Sequence, residues 1–96
     1  MTQEQVKLGE VTIIDTREPF EYQQSHVLGA INIPPAEFMT GEIPAALGRV
    51  AKDDPIILYC RSGARSNTCS MILRRYGFTN LINGINEGHV RKLLNR

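Results

Sequence analysis

The sequence predicts an α/β domain built on a mainly parallel sheet, and three observations carry that expectation. Short β-branched runs alternate with stretches of helical spacing. The strongest run, Ile56-Ile57-Leu58-Tyr59, is apolar at every position, as suits a strand covered on both faces. The chain has 96 residues, 42% of them hydrophobic and 22% charged, enough for one ordinary globular core, so residues 1–96 are expected to form one domain. This composition excludes a disordered chain, a collagen and a mini-protein framed by disulfides. The run ending at Cys60 is the longest apolar stretch. It is far shorter than the roughly 20 residues that span a bilayer.

Taken in order, Val11 to Ile14 reads as a short buried strand. Pro19 to Gln24 reads as a helical turn, with Pro19 at an early position where its missing N–H costs little. Ala30 to Ile33 is a second strand, ended by Pro34-Pro35. Ile43, Leu47 and Val50 recur at helical spacing, which predicts a helix over 43–51, and Asp53-Asp54-Pro55 is a turn. Pro55 to Tyr59 is the central strand. A tight loop at Arg61-Ser62-Gly63-Ala64 leads into a helix from Ser66 to Tyr76, with Cys69, Ile72, Leu73 and Tyr76 on one face and Gly77 as its C-terminal cap. Asn80 to Ile82 is a last strand and Gly84 marks a turn. Glu87 to Leu94 closes the chain as a helix with Val90, Leu93 and Leu94 inward.

The net charge of +1 conceals an asymmetry. Residues 1–54 hold four Lys/Arg against nine Asp/Glu, net −5, and residues 55–96 hold seven against one, net +6. The acid-free stretch from Pro55 to Asn86 contains Arg61, Arg65, Arg74 and Arg75. Arg74 and Arg75 read as solvated helix residues. Arg61 and Arg65 flank a loop of different character.

That loop begins at Cys60, the end of the central strand, and functional sites in parallel sheets lie beyond the carboxyl ends of the strands. Short side chains and Gly63 allow successive N–H groups to turn inward, and the helix that follows adds positive potential at the same point. A thiol in that field is expected to be acidic, and its thiolate is a nucleophile. The bland alternative is an inert buried cysteine. Cys69, on the apolar helix face, reads as packing; a resolving thiol for Cys60 is its sharper alternative. With two cysteines and no secretory signal in the chain as given, both are expected to be reduced.

Three segments taken together carry a resemblance: Ile14-Asp15-Thr16-Arg17-Glu18-Pro19-Phe20-Glu21-Tyr22, then Ser25-His26-Val27-Leu28-Gly29-Ala30-Ile31-Asn32-Ile33-Pro34, then Tyr59-Cys60-Arg61-Ser62-Gly63-Ala64-Arg65-Ser66. In this order and spacing they resemble the rhodanese domain of single-domain sulfurtransferases, particularly the phage-shock-protein-E type of small bacterial rhodanese. The resemblance implies a rhodanese-like fold of about five parallel strands with helices on both faces. It implies that the Cys60 thiolate takes the sulfane sulfur of thiosulfate and passes it from a persulfide to an acceptor such as cyanide or a thiol. Cys60 is then the catalytic residue, Arg61, Ser62, Gly63, Ala64 and Arg65 bind the substrate, and Asp15, Arg17 and Ser66 support them. Asp15 is expected to tie loops together, and Arg17 to pair with Glu18 or Glu21. Few residues precede the first strand, so the family's N-terminal strand is expected to be vestigial. Asn83-Gly84-Ile85-Asn86-Glu87-Gly88 stands where the family often has Gly-Gly-Ile-x-x-Trp.

Phosphatases and arsenate reductases use a related loop, but four residues separate Cys60 from Arg65 where a phosphatase has five, and Tyr59 replaces their His. The shorter ring suits one sulfur atom better than three phosphate oxygens. A persulfide carrier or a rhodanese-like binding module is the other alternative. His26 is expected to fix a turn and His89 to be solvated, and neither gives a metal signature. No cofactor is expected. The expected partners are a small sulfur anion and a thiophilic acceptor, with a thiol protein as a further acceptor; nucleic acid and membrane are not expected. The chain is expected to be a monomer in the cytoplasm, or in the periplasm if it is a processed mature form.

Overall fold

The computed structural model describes residues 11–95. The expectation about an N-terminal strand lies outside them. Four parallel strands form one sheet: β1 (Thr12–Asp15), β2 (Ile31–Asn32), β3 (Ile56–Cys60) and β4 (Leu81–Asn86), in the order β2-β1-β3-β4. Among the described residues the sheet thus has four strands where about five were expected. Four helices accompany them: α1 (Pro19–Gln24), α2 (Pro35–Phe38), α3 (Ala64–Arg75) and α4 (Glu87–Leu94).

β3 is the hub, paired with β1 on one side and β4 on the other, and all five of its residues are buried. Its alternate side chains serve two cores. Ile56 and Leu58 pack with Ile14, Phe38, Cys69, Leu73 and Phe78 on the face covered by α3. Ile57 and Tyr59 pack with Ile13, Val27 and Val90 on the face covered by α4. A side chain of this size contributes about 1.5–3 kcal/mol when fully buried. A period of two over a sheet covered on both sides gives the unbroken apolar run seen in the sequence.

Helix α3 starts two residues earlier than expected, because Gly63 takes a left-handed conformation (φ 93°) at its N-cap and lets Ala64 begin the helix. Its end is a Schellman motif: the Gly77 N–H donates to Arg74 O and the Phe78 N–H to Leu73 O, with Leu73 and Phe78 in the same core.

Three further expectations change. The helix over 43–51 reduces to one 3-10 turn, Ala45–Leu47. Pro44 precedes that turn and Gly48 follows it, a weak sequence for propagation. Gly84 lies inside β4 and not at a turn. It is the extra residue of a bulge, since Leu58 pairs with Asn83 and Tyr59 with Ile85. Leu93 of α4 is 45% exposed, whereas Val90 is fully buried.

Candidate active site

Cys60 ends β3 at the carboxyl edge of the sheet and is 2% exposed. Its Sγ accepts a hydrogen bond from the Gly63 N–H at 3.1 Å and lies 3.6 Å from the Ser66 hydroxyl. The left-handed turn at Gly63 folds the loop back so that its amides face the sulfur. Gly63 and Ser66 are buried, while Arg61, Ser62 and Ala64 are exposed.

Burial pushes the Cys60 thiol up, but the hydrogen bonds outweigh it. The Ser66 amide and hydroxyl and the Ser62 and Gly63 amides bring it from 9.0 down to about 7. At neutral pH roughly half of it is thiolate. The acidity therefore comes mainly from backbone donors and Ser66, with the Arg65 charge a lesser contribution. Cys69 is the opposite case: full burial, with the nearby Cys60 charge, raises its thiol to about 12. In the core of α3 it is a packing residue and a poor nucleophile.

Asp15 and Arg17 form the buried base of the site. Arg17 donates from Nε to both Asp15 oxygens and from Nη2 to Oδ2 at 2.8 Å, while its own N–H caps Oδ1. The Tyr59 hydroxyl donates to Asp15 Oδ2 at 2.8 Å and accepts from the Val27 N–H. The hydrogen bonds with Asp15 raise the Arg17 pKa further, and burial raises that of Tyr59. Arg17 was expected to meet Glu18 or Glu21. Its second partner is instead Glu87 at the start of α4, 3.4 Å away. Arg17 Nη2 also reaches the Ser25 carbonyl, which fastens β1 to the segment after α1.

The two arginines of the loop diverge. Arg65 donates to Glu21 Oε1 at 2.8 Å and Oε2 at 3.2 Å, so its charge is already engaged by α1. Arg61 makes no ion pair among the described residues and lines the cavity above Cys60. That cavity, about 330 Å³, is also lined by Arg17, Glu21, Gln24, Asn86, Glu87 and Gly88. Glu87 is held by Arg17 and by Arg91 at 2.9 Å. Each carboxylate at the rim thus has a guanidinium partner, and Arg61 is the lining cation left for a bound anion.

Glu87 and Asn83 belong to the site although the sequence did not single them out, and Glu21 belongs to it as the partner of Arg65. Asn83 of β4 accepts at Oδ1 from the Ser66 hydroxyl (2.7 Å) and from the Ile85 N–H, and donates from Nδ2 to Gly63 O. The Glu18-x-x-Glu21 spacing at a helix start is a usable signal, and Glu21 Oε1 does accept from the Glu18 N–H. His26 accounts for a turn, as expected: Nδ1 lies 2.8 Å from the Tyr22 carbonyl, and its ring stacks on Tyr22. Among the described residues no three His, Cys, Asp or Glu side chains converge to hold a metal.

Comparison with known proteins agrees with this geometry. A family model described as a rhodanese-like domain matches residues 2–90. The thiosulfate sulfurtransferase PspE of Escherichia coli is 41% identical over 70 residues, covering 73% of this chain and 64% of PspE. A putative sulfur carrier protein of Bacillus subtilis, YrkF, is 32% identical over 73 residues, 76% of this chain and 37% of YrkF. The chain therefore spans less than two thirds of either curated relative. A solved rhodanese from E. coli, described as containing anions, superposes with a TM-score of 0.71 at 35% identity, over 82% of this chain and 89% of that one. With the family model covering nearly the whole chain, the chain belongs to the rhodanese-like domain family.

Proposed function

We propose that this protein is a thiosulfate sulfurtransferase that works through a Cys60 persulfide. The observation that carries the reading is the Cys60 sulfur at the base of the cavity, held by the Gly63 amide at 3.1 Å and half ionised near neutrality. A lone pair of the thiolate forms a bond to the outer sulfur of thiosulfate. The sulfur–sulfur bond of thiosulfate breaks, and its electron pair leaves with sulfite. No proton moves, and the total charge of the reactants is carried over to persulfide and sulfite. The amides that hold the thiolate are the donors in reach of the terminal sulfur anion. Arg61 offers charge-assisted hydrogen bonds to the sulfonate oxygens. An acceptor then attacks the terminal sulfur and Cys60 leaves as thiolate: cyanide gives thiocyanate, and a thiolate gives its own persulfide.

The activity named for PspE and the anions described with the E. coli rhodanese support this reading. The likeness to YrkF favours a second one, in which the persulfide is handed to a protein thiol without free turnover. Cyanide-dependent thiocyanate release from thiosulfate, compared between wild type and Cys60→Ser, tests the first. Turnover that vanishes only in the variant is expected. A persulfide on Cys60 with no cyanide turnover would favour the carrier, and hydrolysis of p-nitrophenyl phosphate in place of sulfur transfer would overturn both.

A further inference from the structure

We propose that Asn83 is a positioning residue that restrains the acidity of Cys60 by holding the proton of the Ser66 hydroxyl. Ser66 is fully buried and has one proton, with three acceptors in reach: Asn83 Oδ1 at 2.7 Å, Gly63 O at 3.2 Å and Cys60 Sγ at 3.6 Å. The shortest of these is to Asn83. The orientation of the carboxamide is fixed from both ends. The Ile85 N–H can only donate, so the atom 3.0 Å from it is the oxygen, and the Gly63 carbonyl can only accept, so the atom 3.1 Å from it is the nitrogen. Asn83 Oδ1 therefore accepts from both Ile85 and Ser66.

The backbone is distorted to allow this. Ile85 has φ 73°, a left-handed conformation that a β-branched residue rarely adopts, and it lies at the β4 bulge two residues after Asn83. The distortion points the Ile85 N–H back at the Asn83 oxygen. With its proton on Asn83, the Ser66 oxygen faces Cys60 with lone pairs, which suits a thiol and not a thiolate. To stabilise the thiolate, the hydroxyl has to turn away from its shortest hydrogen bond. Asn83 thus opposes the loop amides.

Such restraint fits sulfur transfer. The nucleophilicity of a thiolate falls with its pKa, so an attacking thiol works best when its pKa lies near the ambient pH. Over-acidified by its loop, Cys60 would be ionised but sluggish. This kinetic consequence rests on the sulfurtransferase reading; the effect on acidity does not.

The test is the pH dependence of Cys60 alkylation by iodoacetamide, located by mass spectrometry, which needs no sulfur substrate. Asn83→Ala is expected to move the midpoint down by roughly half to one unit, because the Ser66 proton is released to the sulfur. Asn83→Ala made in the Ser66→Ala background is expected to add nothing to the midpoint of Ser66→Ala alone. Asn83→Leu, of similar size and without polar atoms, gives the same readout should the alanine variant fail to fold. An unchanged or raised midpoint in the Asn83 variant, or an equal shift with and without Ser66, overturns the proposal. Loss of thiosulfate turnover in wild type would instead refute the functional reading and leave this one standing.

Discussion

The Arg65 guanidinium is clamped on the Glu21 carboxylate, at 2.8 and 3.2 Å, across 44 residues of chain. This pair ties the first turn of α3, which follows the Cys60 loop, to α1, while Asn83 holds Ser66 in the same turn. The hydrogen bonds from Arg65, with help from the Glu18 amide, hold the Glu21 carboxyl down at about 2 against burial that pushes it up. A carboxyl whose folded pKa lies below its unfolded value stabilises the fold above the unfolded value and loses that contribution as pH falls. The window here runs from about 4.5 down to about 2. Urea denaturation between pH 6 and pH 2 (about 25 °C) is expected to show wild type losing stability across that window and Glu21→Gln losing distinctly less of it.

Since Arg65 is engaged by Glu21 and Arg61 has no ion pair among the described residues, their substitutions should differ in kind. Arg61→Ala is expected to raise the KM for thiosulfate about five- to tenfold, the effect of losing one charge-assisted contact at an exposed site, with little change in stability. Arg65→Ala is expected to lower stability by about 1–2 kcal/mol, because it strands the nearly buried Glu21 carboxylate. Steady-state kinetics and denaturation of the two variants separate these effects. Equal KM changes would place Arg65 on the substrate.

The parts of this arrangement that lie close together in the chain were legible in the sequence. The strand at Ile56 to Tyr59, the cysteine at its end and the glycine turn all follow from local chemistry, and the structure keeps them together. The pairing of Arg65 with Glu21 and the reach of Asn83 to Ser66 were not legible, because they join segments brought side by side only by the parallel sheet. The bulge that places Gly84 out of register leaves no periodic signal, so β4 read as three residues where it has six. The failed helix over 43–51 shows the converse: apolar spacing was present at Ile43, Leu47 and Val50, but Pro44 and Gly48 denied it backbone continuity. The source of the thiol's acidity was legible for the same local reason: short side chains and Gly63 allow the loop amides to turn toward Cys60, and those amides lower its pKa.

Cys60 titrating near 7 sets the pH dependence of its reaction. The rate of persulfide formation under single-turnover conditions is expected to rise through about pH 7 and to level off above it, following the thiolate. Cys60→Ser should abolish the step with the fold intact. A profile that rises only beyond pH 9 would mean that the loop amides do not set the acidity, and would remove the basis for assigning the nucleophile its ionised form at neutrality.

Beneath the cysteine, the Tyr59 hydroxyl joins the Asp15 carboxylate to the Val27 amide, with Asp15 and Tyr59 both fully buried. Tyr59→Phe removes a donor from a buried charge and an acceptor from a buried N–H without changing the ring packing. A loss of about 1–3 kcal/mol is expected. Because the hydrogen bonds of the Cys60 sulfur go to Gly63 and Ser66 and those of the Tyr59 hydroxyl to Asp15 and Val27, the alkylation midpoint of Cys60 should stay in place. Denaturation and alkylation of the same preparation check both halves of this statement.

Gly84 is required by close approach and not by backbone conformation. A Cβ at that position would overlap the Val90 Cγ2 methyl and lie 2.8 Å from Ile57 Cγ2, with Leu58 O at 3.3 Å. Ile57 and Val90 are themselves fully buried between the sheet and α4. Gly84→Ala therefore forces α4 away from the sheet, at a cost of about 1–3 kcal/mol typical of overpacking. That helix carries Glu87, the second partner of Arg17 and part of the cavity wall, and its N-cap residue Asn86 lines the same cavity. The variant is expected to lose stability and to raise the KM for thiosulfate together. Val90→Ala in the Gly84→Ala background should recover part of both, by removing the methyl that the new Cβ meets. Failure of that recovery, measured by denaturation and by steady-state kinetics, would mean that the space at the bulge is not what couples the sheet edge to the cavity.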